Sequence, residues 1–175
     1  MPDHRASKIE ARIPGLRRFA RLLLRGDRER ADDLVQDCLQ CALSRWHLRR
    51  VEGDLRGWLY TILYNRFLTR RYRKRQRGVH DALTAIEAEL PGVDRGQEGA
   101  LANRDLMRVF AELPEEQRSV LFLIGVEDLS YEETAHVLRV SIGTVMSQLS
   151  RGREQLRRYM SGDLQRRKVP LGKAK

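Results

Sequence analysis

Apolar residues recur every three or four positions along most of this chain, and that spacing limits the folds open to it more than anything else. A step of three or four returns a side chain to the same face of an α-helix, which turns once in about 3.6 residues. Ile13, Leu16, Ala20, Leu23 and Leu24 form the first such stripe, with arginines between them. Pro14 suits its first turn, where a missing N–H costs nothing. After a break at Gly26-Asp27, Val35, Leu39, Ala42 and Trp46 predict a second helix over 30–46. Asp32, Asp33 and Asp37 gather near its start, where the helix dipole favours negative charge. His47 to Asp54 reads as a loop. A third helix opens at Leu55 and runs through Trp58, Leu59, Ile62 and Leu63, with a second face of Tyr60, Tyr64, Phe67 and Arg71.

The second half repeats the pattern with sharper punctuation. Leu106, Val109, Phe110 and Leu113 make a stripe that stops at Pro114, and Pro114-Glu115-Glu116 starts another helix with Val120, Leu121 and Ile124 inside and Gly125 at its end. Ser130 and Glu133 have the spacing of a capping box. The helix that follows carries Ala135 and Leu138. A tight turn, Arg139-Val140-Ser141, leads to a last helix starting at Ser141 or a neighbour. Val145 and Leu149 point inward there, and Thr144, Ser147, Gln148 and Arg151 outward. A small Ala in the first helix, a turn, then a helix with a buried Val is helix-turn-helix spacing, although short helical hairpins imitate it. Many such turns place glycine where Arg139 stands, because the position often needs φ > 0.

Charge divides the chain. Of 175 residues, 34 are Lys or Arg and 24 Asp or Glu, a net +10. Through Arg77 the balance is +11, from Gly78 to Arg104 it is −3, and from Asp105 onward +2. The middle stretch also collects Pro91 and several glycines, the punctuation of a linker, with room for a short helix over 82–90. The expected organisation is therefore all-α: two small helical domains joined by a flexible linker. They comprise a flexible N-terminus (1–12), a basic domain (13–77), the linker (78–104), a helix-turn-helix domain (105–160) and a basic tail (161–175).

Several functions are argued against. No apolar run approaches the roughly 18 residues of a membrane span, and residues 1–12 are polar, so a cytoplasmic protein without membrane insertion is expected. Cys38 and Cys41 lie in a helical stretch without a second Cys or His pair, so they read as ordinary helix residues rather than a zinc site. Their redox role is left open. His4, His47, His80 and His136 have no catalytic or metal-binding spacing. A nuclease would want clustered carboxylates in a pocket, whereas the acids here sit at helix starts and in the linker. No catalytic residue, metal, cofactor or small-molecule substrate is expected.

The end of the third helix, RFLTRRYRKRQR, interleaves aromatics with a dense basic run. Cations there would neutralise phosphates and aromatic faces would stack on unpaired bases; the plainer alternative is a solvated basic helix end over core aromatics.

Taken in order, RADDLVQDCLQCALSRW, LRGWLYTILYNRFLTRRYRKRQR and LPEEQRSVLFLIGVEDLSYEETAHVLRVSIGTVMSQLSRGREQLRRY resemble the extracytoplasmic-function (ECF) sigma factors of bacterial RNA polymerase. The resemblance spans Ile13 to Met160. It implies a sigma-2-like and a sigma-4-like domain. It also implies docking on core polymerase through Asp33, Leu34, Gln36 and Asp37. Capture and melting of the −10 promoter element would fall to Arg49, Arg50, Trp58, Tyr60, Asn65, Arg66, Arg70, Arg71, Arg73 and Lys74. Duplex reading of the −35 element would fall to Ser141, Gly143, Thr144, Ser147, Gln148, Arg151 and Arg153. An anti-sigma factor is the further partner implied, one that could hold the protein at the membrane. Family recognition helices often carry Lys or Arg where Met146 and Gln148 stand. The alternative function is a simple helix-turn-helix regulator using the second domain alone, which would have no need of the DDLVQD helix or the basic-aromatic helix.

Overall fold

The structure, a computed structural model, describes residues 4–49, 54–76 and 110–161. Among these there is no strand. The α-helices described from end to end are, in order, α1 (His4–Glu10), α2 (Ile13–Leu23), α3 (Arg28–Ser44), α4 (Leu55–Gln76), α5 (Glu115–Gly125), α6 (Tyr131–Leu138) and α7 (Ile142–Met160), with a 3-10 turn at Trp46–Leu48 after α3; residues 110–112 are helical as well. None is long and apolar enough to cross a membrane. The all-α class expected from the periodicity is what the chain adopts.

Polar caps fix where the helices begin. Asp27 accepts a hydrogen bond from the Arg30 amide and starts α3 two residues before the expected position. Asp54 accepts from the amides of Arg56 and Gly57 at the start of α4. The Ser130–Glu133 capping box forms in both directions. Ser141 caps α7 by accepting from the Thr144 amide. Each cap satisfies amides that have no partner within the helix.

One expectation needs correction: the N-terminal stretch taken as flexible contains α1, and Ile9 on it is buried, which gives that helix an apolar anchor. The two expected domains pack on each other. Leu16, Phe19, Leu59 and Leu63 from the first half share one core with Val120, Phe122 and Leu123 from the second. Phe19 on α2 stacks on Phe122 of α5, with ring centroids 5.4 Å apart and planes 16° from parallel, and Tyr60 meets Phe19 edge-on at 5.5 Å. Such contact across the halves cannot be read from helix periodicity, which says which face is apolar but not what covers it. The expected linker, the helix over 82–90 and all but the first residue of the expected basic tail lie outside the described residues.

Candidate functional site

The helix-turn-helix is built locally. Val145 and Leu149 are buried under α7, as their spacing requires, and Ala135 is buried on α6 where the helices approach. Gly152 extends this packing: a Cβ there would stand 2.7 Å from Leu121 Cδ1, so α7 lies close on α5. Arg139 ends α6 with φ 57° and ψ 44°, the left-handed conformation that glycine adopts without strain. Among the expected −35 residues, Ser141, Gly143, Ser147, Arg151 and Arg153 are exposed, and Thr144 and Gln148 are half-buried. The Thr144 and Ser141 hydroxyls are 2.9 Å apart, and Ser147 donates to the Thr144 carbonyl.

The expected polymerase-docking face lies on α3. Asp33 and Gln36 are exposed and Asp37 half-buried. Leu34 is different: it is fully buried in the core, beneath that face. Asp37 is bound by Arg70 of α4, whose Nε lies 3.1 Å from Asp37 Oδ2 and whose Nη2 reaches both Asp37 and the Asp33 carbonyl oxygen. An expected docking residue and an expected DNA residue are thus paired with each other.

The remaining −10 candidates separate by environment. Arg71 and Arg73 are exposed, and Asn65, Arg66, Arg70 and Lys74 are half-buried along the same helix. Arg49 lies over the Trp46 ring, 5.1 Å from its centroid, and Trp46 meets Trp58 edge-on at 6.1 Å. Arg50 lies outside the described residues. Tyr60 departs from the expectation most. It is 2% exposed, enclosed between the halves and hydrogen-bonded to Glu127. Burial first, then the Glu127 carboxylate, pushes its hydroxyl well above the ordinary phenol range. In this arrangement its ring is a core element and presents no surface to DNA.

Four residues bring the halves together; only Arg71 among them was singled out from the sequence, and for DNA rather than for this contact. Arg18 of α2 donates to Glu127 Oε1 at 2.8 Å. Arg56 donates to the carbonyl oxygens of Glu127 and Asp128. Arg71 makes two hydrogen bonds to the Glu115 carboxylate, at 2.8 and 3.0 Å. Gly15 lets these groups converge, since a Cβ there would stand 2.6 Å from the Tyr60 hydroxyl and 2.9 Å from the Glu127 carboxylate. These partners lie 44 to 109 residues apart in sequence, beyond the reach of any local spacing.

Cys38 and Cys41 are both buried and free. Burial first, then the neighbouring Cys41, raises the Cys38 thiol to about 12. A thiol so protonated is a poor nucleophile and a poor metal ligand, in keeping with an ordinary helix residue.

Comparison with known proteins accounts for both halves. Residues 9–64 match the family model described as the sigma2 domain of PhyR, and residues 103–156 match that of sigma-70 region 4. The chain is 36% identical over 156 residues to the ECF RNA polymerase sigma factor EcfG of Rhodopseudomonas palustris, covering 89% of this chain and 84% of that one. It is 33% identical to the ECF RNA polymerase sigma factor SigM of Mycobacterium tuberculosis, covering 83% and 71%. Among solved structures, the sigma factor RpoE in complex with the anti-sigma factor NepR from Bartonella quintana superposes with a TM-score of 0.71 at 31% identity, covering 90% of this chain and 97% of that one. CnrH in complex with the cytosolic domain of CnrY shares the fold at a TM-score of 0.62 and 21% identity, covering 93% and 92%. With both halves matched in order and a relative this similar along nearly its whole length, the chain belongs to the ECF sigma factors of RNA polymerase.

Proposed function

We propose that this sigma factor divides promoter recognition among three surfaces. The α3 face of Asp33, Gln36 and Asp37 docks on core polymerase. The basic end of α4, with Arg49 beside the Trp46–Trp58 pair, holds the −10 element as it opens. The start of α7 enters the major groove of the −35 duplex. The observation that carries the reading is α6, its left-handed turn and α7, with Ser141, Gly143, Ser147 and Arg151 exposed on one short stretch. That is the form in which a helix presents short polar side chains to base edges.

Strand opening fits the first half, because unstacked bases need aromatic faces and a cationic track. Tyr60 is not part of that track while the halves are packed. An anti-sigma protein is a further expected partner, as RpoE was captured with NepR, and the cytoplasm is the expected site of action.

The test is run-off transcription on fragmented genomic DNA with bacterial core polymerase and the full chain, followed by mapping of the starts. Discrete starts that need both components are expected. Asp33→Lys should weaken association with core at least tenfold while leaving the helical signal unchanged. DNA binding without any stable association with core would replace this reading with that of a simple regulator.

A further inference from the structure

The outward face at the start of α7 has an uncommon make-up. Ser141, Gly143, Ser147 and Ser150 are exposed and short. Met146 and Ile142, one helical turn apart, are 54% and 42% exposed. Apolar side chains left in water gain free energy when covered, so this face is poised to meet an apolar group.

Its surroundings indicate the partner. Short side chains at 141, 143, 147 and 150 let the helix backbone come close to whatever it faces. Met146 then stands out from that stretch as its most exposed large apolar side chain. Arg139, Arg151 and Arg153 are exposed on the same turn and helix, where cations suit phosphates. A close-approaching helix with cations at hand fits a DNA major groove. The apolar group presented there is the C5-methyl of thymine. Met146 has no strong hydrogen-bonding group, so it cannot read a base by donor and acceptor pattern.

We propose that Met146, with Ile142 beside it, selects a thymine in the −35 element by covering its C5-methyl. This rests on the promoter-binding role above and adds a base identity to it. The departure from the Lys or Arg common at this position then has a chemical meaning: a charge that favours guanine is exchanged for a side chain that favours a methyl.

The test replaces thymines of a mapped −35 element with uracil, one at a time on each strand, which removes the methyl and nothing else. Binding is measured with holoenzyme made from core polymerase and the full chain. For the unaltered chain, one or two replacements should weaken promoter binding about fourfold, the value of one methyl covered from water. Met146→Ala should bind thymine and uracil alike at those positions. Because Met146 is exposed, that variant should keep its fold, which its helical signal would verify.

Equal binding to thymine and uracil at every position would overturn the proposal. So would mapped −35 elements without thymine, or a uracil effect that persists in both Met146→Ala and Ile142→Ala. A Met146→Ala chain that discriminates as before but forms less holoenzyme would make this a protein contact and overturn it too. Failure to obtain any core-dependent start removes the promoter-binding reading, and this one with it. Starts indifferent to uracil remove this one alone.

Discussion

Asp54 shows how one side chain sets an element. Burial alone would raise its carboxyl, but the amides of Gly57 and Arg56 and the Arg56 guanidinium outweigh that and hold it below its ordinary value of 3.8. A depressed folded value means the group stabilises the protein above the unfolded value and loses that effect as the pH falls through the folded one. Asp54→Ala should therefore cost about 1 kcal/mol at pH 7. Urea unfolding at pH 7 and pH 3 should show the gap between the two proteins closing in acid; a constant gap would mean the charge is not the cause. At this scale the sequence was uneven as a guide. The Ser130–Glu133 box was legible because both partners lie within four residues. Leu34 was put on the docking face by the family resemblance, which carries positions over one by one, while its own spacing from Ala31 and Cys38 puts it in the core. Tyr60 was misplaced because a tyrosine on a basic helix looks alike whether it meets DNA or the other half of its own chain.

Helices were the most legible level. Stripes at steps of three and four located each described helix except α1, where a single buried Ile9 gives too short a pattern to see. The turn between α6 and α7 falls where many such turns need φ > 0; the sequence leaves a relaxed turn equally open, and Arg139 takes φ 57°. An L-residue in the left-handed region costs on the order of 1 kcal/mol, which glycine avoids. Arg139→Gly should raise the melting temperature by roughly 3 °C for a chain of this size, as calorimetry would register. A lower melting temperature would mean that the arginine side chain contributes more than its backbone costs. The same substitution removes a cation from the rim of the proposed −35 surface, so stability and promoter affinity should move in opposite directions.

For the whole molecule, the charge pattern that separated two halves gave no sign of how they meet. Segregated charge reports which surfaces face a polyanion; it is silent about apolar faces such as those of Phe19 and Phe122, which are covered by each other. Glu127 is the polar centre of that meeting, with Arg18, Arg56 and Tyr60 around it. Its side chain is only 11% exposed. Glu127→Ala strips the Arg18 guanidinium of a partner and should weaken the packing of the halves by about 1–3 kcal/mol. Small-angle scattering should then show a larger radius of gyration at an unchanged helical content. Unchanged dimensions would assign the cohesion to the shared apolar core and to the Arg56 and Arg71 contacts, which this substitution leaves in place.

Gly15 has a consequence that reaches beyond its own helix. Its missing methyl leaves just enough space for a tyrosine hydroxyl and a carboxylate to sit against α2. Adding that methyl would push Glu127 away from Arg18 and Tyr60 without touching any residue on the outer surfaces. Position 15 is thus a setting screw. A change of one carbon atom there would alter how firmly the two halves hold each other, while every group that a polymerase or a promoter could meet keeps its identity.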